Sequence, residues 1–83
     1  MATNLQKRKE QFHLDMQNIY NLTPDRWGNY KFTAHNGRQY RLKCQKQTIR
    51  FESKVVDRWM RMKTYSYGHI ENNLNNHLIG AKQ

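Results

Sequence analysis

The chain has 83 residues, a formal net charge of +9 and 36% hydrophobic residues, which bounds it to one small domain, residues 1–83, with a compact core. A 12% aromatic content argues against a disordered tail. A single cysteine, Cys44, excludes an internal disulfide, and no apolar run reaches the roughly 18 residues of a membrane span. Nor does the N-terminal stretch MATNLQKRKEQFHLDMQ hold an apolar block of signal-peptide length, so a reducing, cytoplasmic setting is expected.

In chain order, the first predicted element is a helix. Thr3 and Gln6 have capping-box spacing, and Leu5, Phe12, Met16, Ile19 and Tyr20 fall on one helical face. Leu14 lies off that stripe. Thr23-Pro24-Asp25 ends the element, because the residue before a proline avoids helix geometry.

Residues 27–67 then alternate with period two and accommodate four strands, 27–34, 39–45, 48–53 and 58–67. A two-residue Asn36-Gly37 turn would mix core and charge on one face. A three-residue loop, His35-Asn36-Gly37 with Gly37 left-handed, instead pairs Phe32 with Tyr40 and Tyr30 with Leu42, and the pattern selects it. Lys46-Gln47 makes the second connection and Lys54-Val55-Val56-Asp57 the third. After Gly68, the spacing of Ile70, Leu74, His77 and Leu78 predicts a short helix stopped at Gly80. The expected class is therefore α+β: an N-terminal helix, a four-stranded antiparallel β-sheet and a short C-terminal helix.

These registers give the sheet two unlike faces. Tyr30, Phe32, Tyr40, Leu42, Cys44, Ile49, Phe51, Met60 and Met62 form the expected core face. The other face reads in rows: Lys31, Arg41, Glu52, Trp59; then Asn29, Lys43, Arg50, Arg61; then Trp27, Gln45, Thr48, Lys63, with Tyr65 and Tyr67 beyond. The middle row opposes three like charges, which costs up to about 1 kcal/mol per pair unless an anion lies over them. The charge is also localised: eleven cations but only Glu52 and Asp57 lie between Arg26 and Lys63, and the flanks cancel.

Flat rings beside cations on an open sheet can stack unpaired bases while holding phosphates. The sequence thus points to nucleic acid, single-stranded or RNA, bound through Lys31, Arg41, Lys43, Arg50, Trp59, Arg61, Lys63 and Tyr65, with Trp27 as a further ring. The bland alternative is that the tryptophans pack beneath a loop and the cations form a solvated rim. An acidic protein surface is the alternative partner, because cations beside aromatics also make protein hot spots.

The remaining signals point away from chemistry. Four histidines, His13, His35, His69 and His77, show no metal-ligand spacing, and His77 sits on an apolar stripe. Cys44 alternates with Leu42 toward the core. Six acids in total offer no carboxylate cluster for metal-assisted hydrolysis, and Asp25 and Asp57 lie at turns. Lys7-Arg8-Lys9 reads as a solvated face. No catalytic residue, metal or cofactor is expected.

Overall fold

The computed structural model describes residues 4–68 and 70–83. Thr3, one half of the expected capping box, and His69 lie outside them. Helix α1 (Asn4–Asn18) is followed by strands β1 (Tyr30–Thr33), β2 (Gln39–Cys44), β3 (Thr48–Val55) and β4 (Arg58–Ser66), then helix α2 (Asn72–Leu78). The strands form one antiparallel sheet in sequence order. The α+β architecture is as the sequence implies.

Both helices pack on the same sheet face. Phe12 of α1 meets Tyr30 and Tyr67 edge-on, and His77 of α2 sits over Tyr40 and Phe51. Phe12, Met16, Leu74 and Leu78 are fully buried, each worth roughly 1.5–3 kcal/mol relative to exposure. Asn21, in the left-handed conformation that Asn tolerates, reverses the chain after α1. Leu22 N–H then returns to the Met16 carbonyl, and the Leu22 side chain enters the core. Ile19, assigned to the apolar stripe, is instead exposed, because the helix ends at Asn18.

The first two hairpins follow the expected registers. Phe32 pairs with Tyr40 and Tyr30 with Leu42, across a loop in which Gly37 has φ 83°. Lys46-Gln47 closes the second hairpin, with Gln45 N–H donating to Thr48 O at 2.8 Å. Strand β1 starts at Tyr30 rather than at residue 27. Asp25 folds the preceding turn, its Oδ1 accepting the N–H groups of Trp27 and Asn29.

The third hairpin departs from expectation. The turn is shorter, only Val56-Asp57 between paired Val55 and Arg58, and β4 carries one additional residue opposite the Phe51/Glu52 step. Glu52 pairs with Arg61 but Phe51 pairs with Lys63, so Met62 is the inserted residue. Beyond it the side-chain parity of β4 reverses, which brings Tyr65 and Tyr67 into the core in place of Met60 and Met62. Both methionines are about half exposed, at 50% and 55%.

The chain end also joins the sheet. Lys82 bridges antiparallel to Thr33, exchanging hydrogen bonds of 2.7 and 2.9 Å. The Gln83 side chain spans Thr23, accepting from its N–H and donating to its carbonyl, and reaches Lys31 O at 3.4 Å.

Val56 holds φ at 57°, a region costly for a β-branched side chain, at a fully solvated turn. Val56→Gly is expected to raise unfolding free energy by about 1 kcal/mol, the strain relieved less the entropy of glycine. Urea denaturation of the two proteins measures it.

Candidate functional site

Because α1 and α2 share one face, the opposite face of the sheet carries the charge-bearing positions. Lys31, Arg41, Glu52 and Arg61 align across β1 to β4. Lys43 and Arg50 oppose each other directly, and Thr64 follows on β4. Lys54 pairs with Trp59 nearer the hairpin tip.

The centre of this face is an ion pair under a ring. Glu52 is buried, at 5% exposure, and accepts from Arg41 Nε at 2.8 Å and Nη2 at 2.6 Å on one oxygen. The Arg41 guanidinium also lies over Trp59, 4.6 Å from the ring centroid. A buried carboxylate is costly without a partner, so Arg41 is committed to Glu52 and its charge is largely spent. Its guanidinium still holds the indole in place. Trp59 is half-buried, so part of its ring remains accessible.

Beside Trp59 lies a hollow of about 350 Å³, lined by Lys31, Thr33, Gln39, Lys54, Lys82 and Gln83 among others. Three ammonium groups, two carboxamides and an indole make a setting suited to an anion joined to a flat ring. The sequence reading did not find Lys54, Lys82 or Gln83. Lys54 extends the odd-even alternation past the point where β3 was expected to end, and only the tertiary fold brings residues 82 and 83 to the site.

Several expected site residues move. Arg61 does not continue the Lys43–Arg50 row; it stands one row over, beside Glu52, so the three-cation row is a pair. Tyr65 is 6% exposed on the helix side and cannot stack a base, and Tyr67 is buried with it. Lys63 pairs with Phe51, hence on the helix side, where it contacts Glu71 at 3.1 Å and the Tyr65 ring at 5.0 Å. The shift of Arg61 follows from the shorter Val56-Asp57 turn, and those of Lys63, Tyr65 and Tyr67 from the residue inserted at Met62. Trp27 is 70% exposed, on the turn before β1 and not in a strand, with the Arg26 guanidinium 4.9 Å from its ring. Lys31, Arg41, Lys43, Arg50 and Trp59 stand on the expected face.

The other titratable groups belong to the core. Burial pushes the Cys44 thiol from an ordinary 9.0 up to about 11. Burial, and then the neighbouring Cys44, raises the Tyr67 hydroxyl, which donates to Gln45 O at 2.7 Å. Burial, followed by Lys9, lowers the pKa of His13, whose Nδ1 is 2.6 Å from the Tyr30 hydroxyl. His77 Nδ1 lies 2.7 Å from the Asn73 carbonyl, within its own helix. Among the described residues, no three His, Cys, Asp or Glu side chains gather as a metal site, and no helix is long and apolar enough to cross a membrane.

No family model, curated protein or solved structure matches this chain.

Two outcomes follow from the buried groups. Arg41→Ala strands the Glu52 carboxylate and is expected to lower unfolding free energy by about 3 kcal/mol, partly recovered in Arg41→Ala with Glu52→Gln. Denaturant titration tests both. An acid held neutral by burial stabilises the fold below its unfolded pKa and loses that contribution as pH rises. Stability is therefore expected to decline from pH 9.0 toward about 11, and Cys44→Ala to flatten part of that slope in unfolding scans across this range.

Proposed function

We propose that this protein is a non-catalytic nucleic-acid-binding module that takes single-stranded nucleic acid, RNA included, on the open face of its sheet. The reading rests on one observation: Lys31, Lys43, Arg50, Lys54 and Arg61 share one sheet face with the half-buried Trp59, while the one carboxylate placed on that face among the described residues, Glu52, is already bonded to Arg41. Cations left without carboxylate partners suit a chain of phosphates, and neutralising each phosphate releases condensed counterions. A ring steadied by the Arg41 guanidinium on the same face suits an unpaired base, whose stacking contributes about 1–3 kcal/mol. Duplex DNA is disfavoured: α1 carries Lys7, Arg8 and Lys9 but no basic face along its length, and the exposed rings need unstacked bases.

Within this reading the roles divide. Lys43 and Arg50, opposed across β2 and β3, hold one phosphate, and relief of their mutual repulsion adds to the binding energy. Trp59 stacks a base, with Arg41 as its positioning residue and Lys31, Lys54 and Lys82 around the adjoining hollow. Arg61 contacts the next phosphate along. A single free thiol, with no disulfide partner in the chain, suits the reducing cytoplasm.

Fluorescence anisotropy of labelled single-stranded RNA, single-stranded DNA and duplex DNA at two salt concentrations tests the proposal. Arg50→Ala and Arg61→Ala are each expected to weaken binding evenly across sequences and to lower the salt slope by about one unit. Trp59→Ala is expected to lose the stacking share, and in a Trp27→Phe background the remaining Trp59 emission is quenched by ligand. No binding of any oligonucleotide at low salt overturns the reading and turns attention to an acidic protein partner.

A further inference from the structure

The free edge of β4 presents backbone groups and exposed apolar side chains that the nucleic-acid reading does not use. Nine residues long, it ends in a tip where Val55, Val56, Met60 and Met62 are all exposed, Val56 at 85%. Val55, Val56, Asp57, Arg58 and Met60 line a second hollow. Cations at Arg58, Arg61 and Lys63 and the inserted residue restrict how this long edge can pair, while the exposed methionines between them leave apolar surface for a partner. Arg61 has no hydrogen-bond, ion-pair or ring partner among the described residues.

The hairpin geometry fixes which backbone groups face outward. With only two residues in the loop, Val55 and Arg58 form a pair that exchanges both hydrogen bonds. Alternation along β4 then turns the N–H and C=O of Met60 toward β3, and those of Trp59 and Arg61 toward the open edge.

We propose that the partner of this edge is a second copy of the chain, paired antiparallel about a two-fold axis at Met60. In this register Trp59 of each copy faces Arg61 of the other, and the four outward backbone groups on each side meet complementary groups. The two Met60 side chains oppose each other across the axis, and Arg58 stands opposite Met62.

Neighbouring registers fail on stated grounds. An axis at Arg61 sets two guanidinium groups face to face. An axis at Trp59 leaves only residues 58–60 to pair, because β4 begins at Arg58. Beyond Met62 the inserted residue breaks the regular ladder. The cations and the insertion thus blunt the edge against indiscriminate pairing and leave one self-complementary register, in which each Arg61 stands opposite an indole rather than another cation. An isologous contact of this kind closes on itself. It joins two sheets edge to edge, with both charged faces on the same side. The proposed pairing rests on the backbone of the β4 edge but shares Trp59 and Arg61 with the nucleic-acid reading, so its register is tested without oligonucleotide.

Site-directed cross-linking reads the register directly. A non-hydrogen-bonded antiparallel pair places its Cα atoms about 4.5 Å apart, within the roughly 4.4–6.8 Å that a disulfide spans. Met60→Cys is therefore expected to form a covalent dimer under mild oxidation, whereas Thr64→Cys, also exposed on β4, stays monomeric. The native Cys44, half-buried and with its thiol pKa raised to about 11, serves as the silent background. Sedimentation of the unsubstituted chain should show the mass doubling from 10.1 kDa with concentration, more readily at high salt, which screens the like net charges. Met60→Lys should hold the mass at the monomer while far-ultraviolet circular dichroism is unchanged. A monomer at every concentration and salt, equal cross-linking at positions 60 and 64, or an edge that takes an acidic extended peptide but not its own copy overturns the proposal.

Discussion

On a strand, side chains alternate between faces, and in β4 this rule is broken once, at Met62. That single insertion lets one strand serve two purposes. Its first half contributes Trp59 and Arg61 to the charged face, while its second half turns Tyr65 and Tyr67 inward against Phe51 and Phe12. A regular β4 would have to choose: either the tyrosines would lie in solvent, or the tryptophan and arginine would lie in the core. The burial of Tyr65 and Tyr67 under the helices and the placement of Lys63 depend on that one residue, while the two-residue turn before it sets Trp59, Met60 and Arg61.

The charged face is organised by cost as much as by attraction. Glu52 could not be buried without Arg41, and Arg41 in turn steadies Trp59. One ion pair therefore fixes the ring around which the free cations stand. Lys43 and Arg50, opposed at neighbouring positions, remain an electrostatic debit that only an external anion cancels. Fold and charge are thus in tension at this face.

Much of this arrangement is written in local pattern. The loop at Gly37 is legible because only one loop length keeps Phe32, Tyr40, Tyr30 and Leu42 together, and the Lys46-Gln47 turn follows from the same parity. The third hairpin was harder. Val56 in a left-handed conformation gives no turn signal, since β-branched residues normally argue against one. The inserted residue is equally silent: Met60 and Met62 are as plausible in a core as Tyr65 and Tyr67, and alternation alone cannot say where a strand slips by one. That is why Tyr65 and Lys63 were placed on the wrong face while Lys31, Arg41, Lys43 and Arg50 were placed on the right one. The part played by Lys82 and Gln83 was beyond reach, because it depends on a contact across some fifty residues of chain.

That last contact has a consequence for how the sheet can grow. Part of the outward edge of β1 is occupied from within: Thr33 exchanges both its hydrogen bonds with Lys82, and Gln83 Nε2 donates to Lys31 O at 3.4 Å. The β1 border is therefore partly covered by residues 82 and 83, while no described residue covers the β4 border. Fibrous assemblies need two open borders on every unit, so that each addition exposes a fresh template. A strand arriving at β1 would have to displace Lys82 from Thr33, which disfavours growth of the sheet from that side.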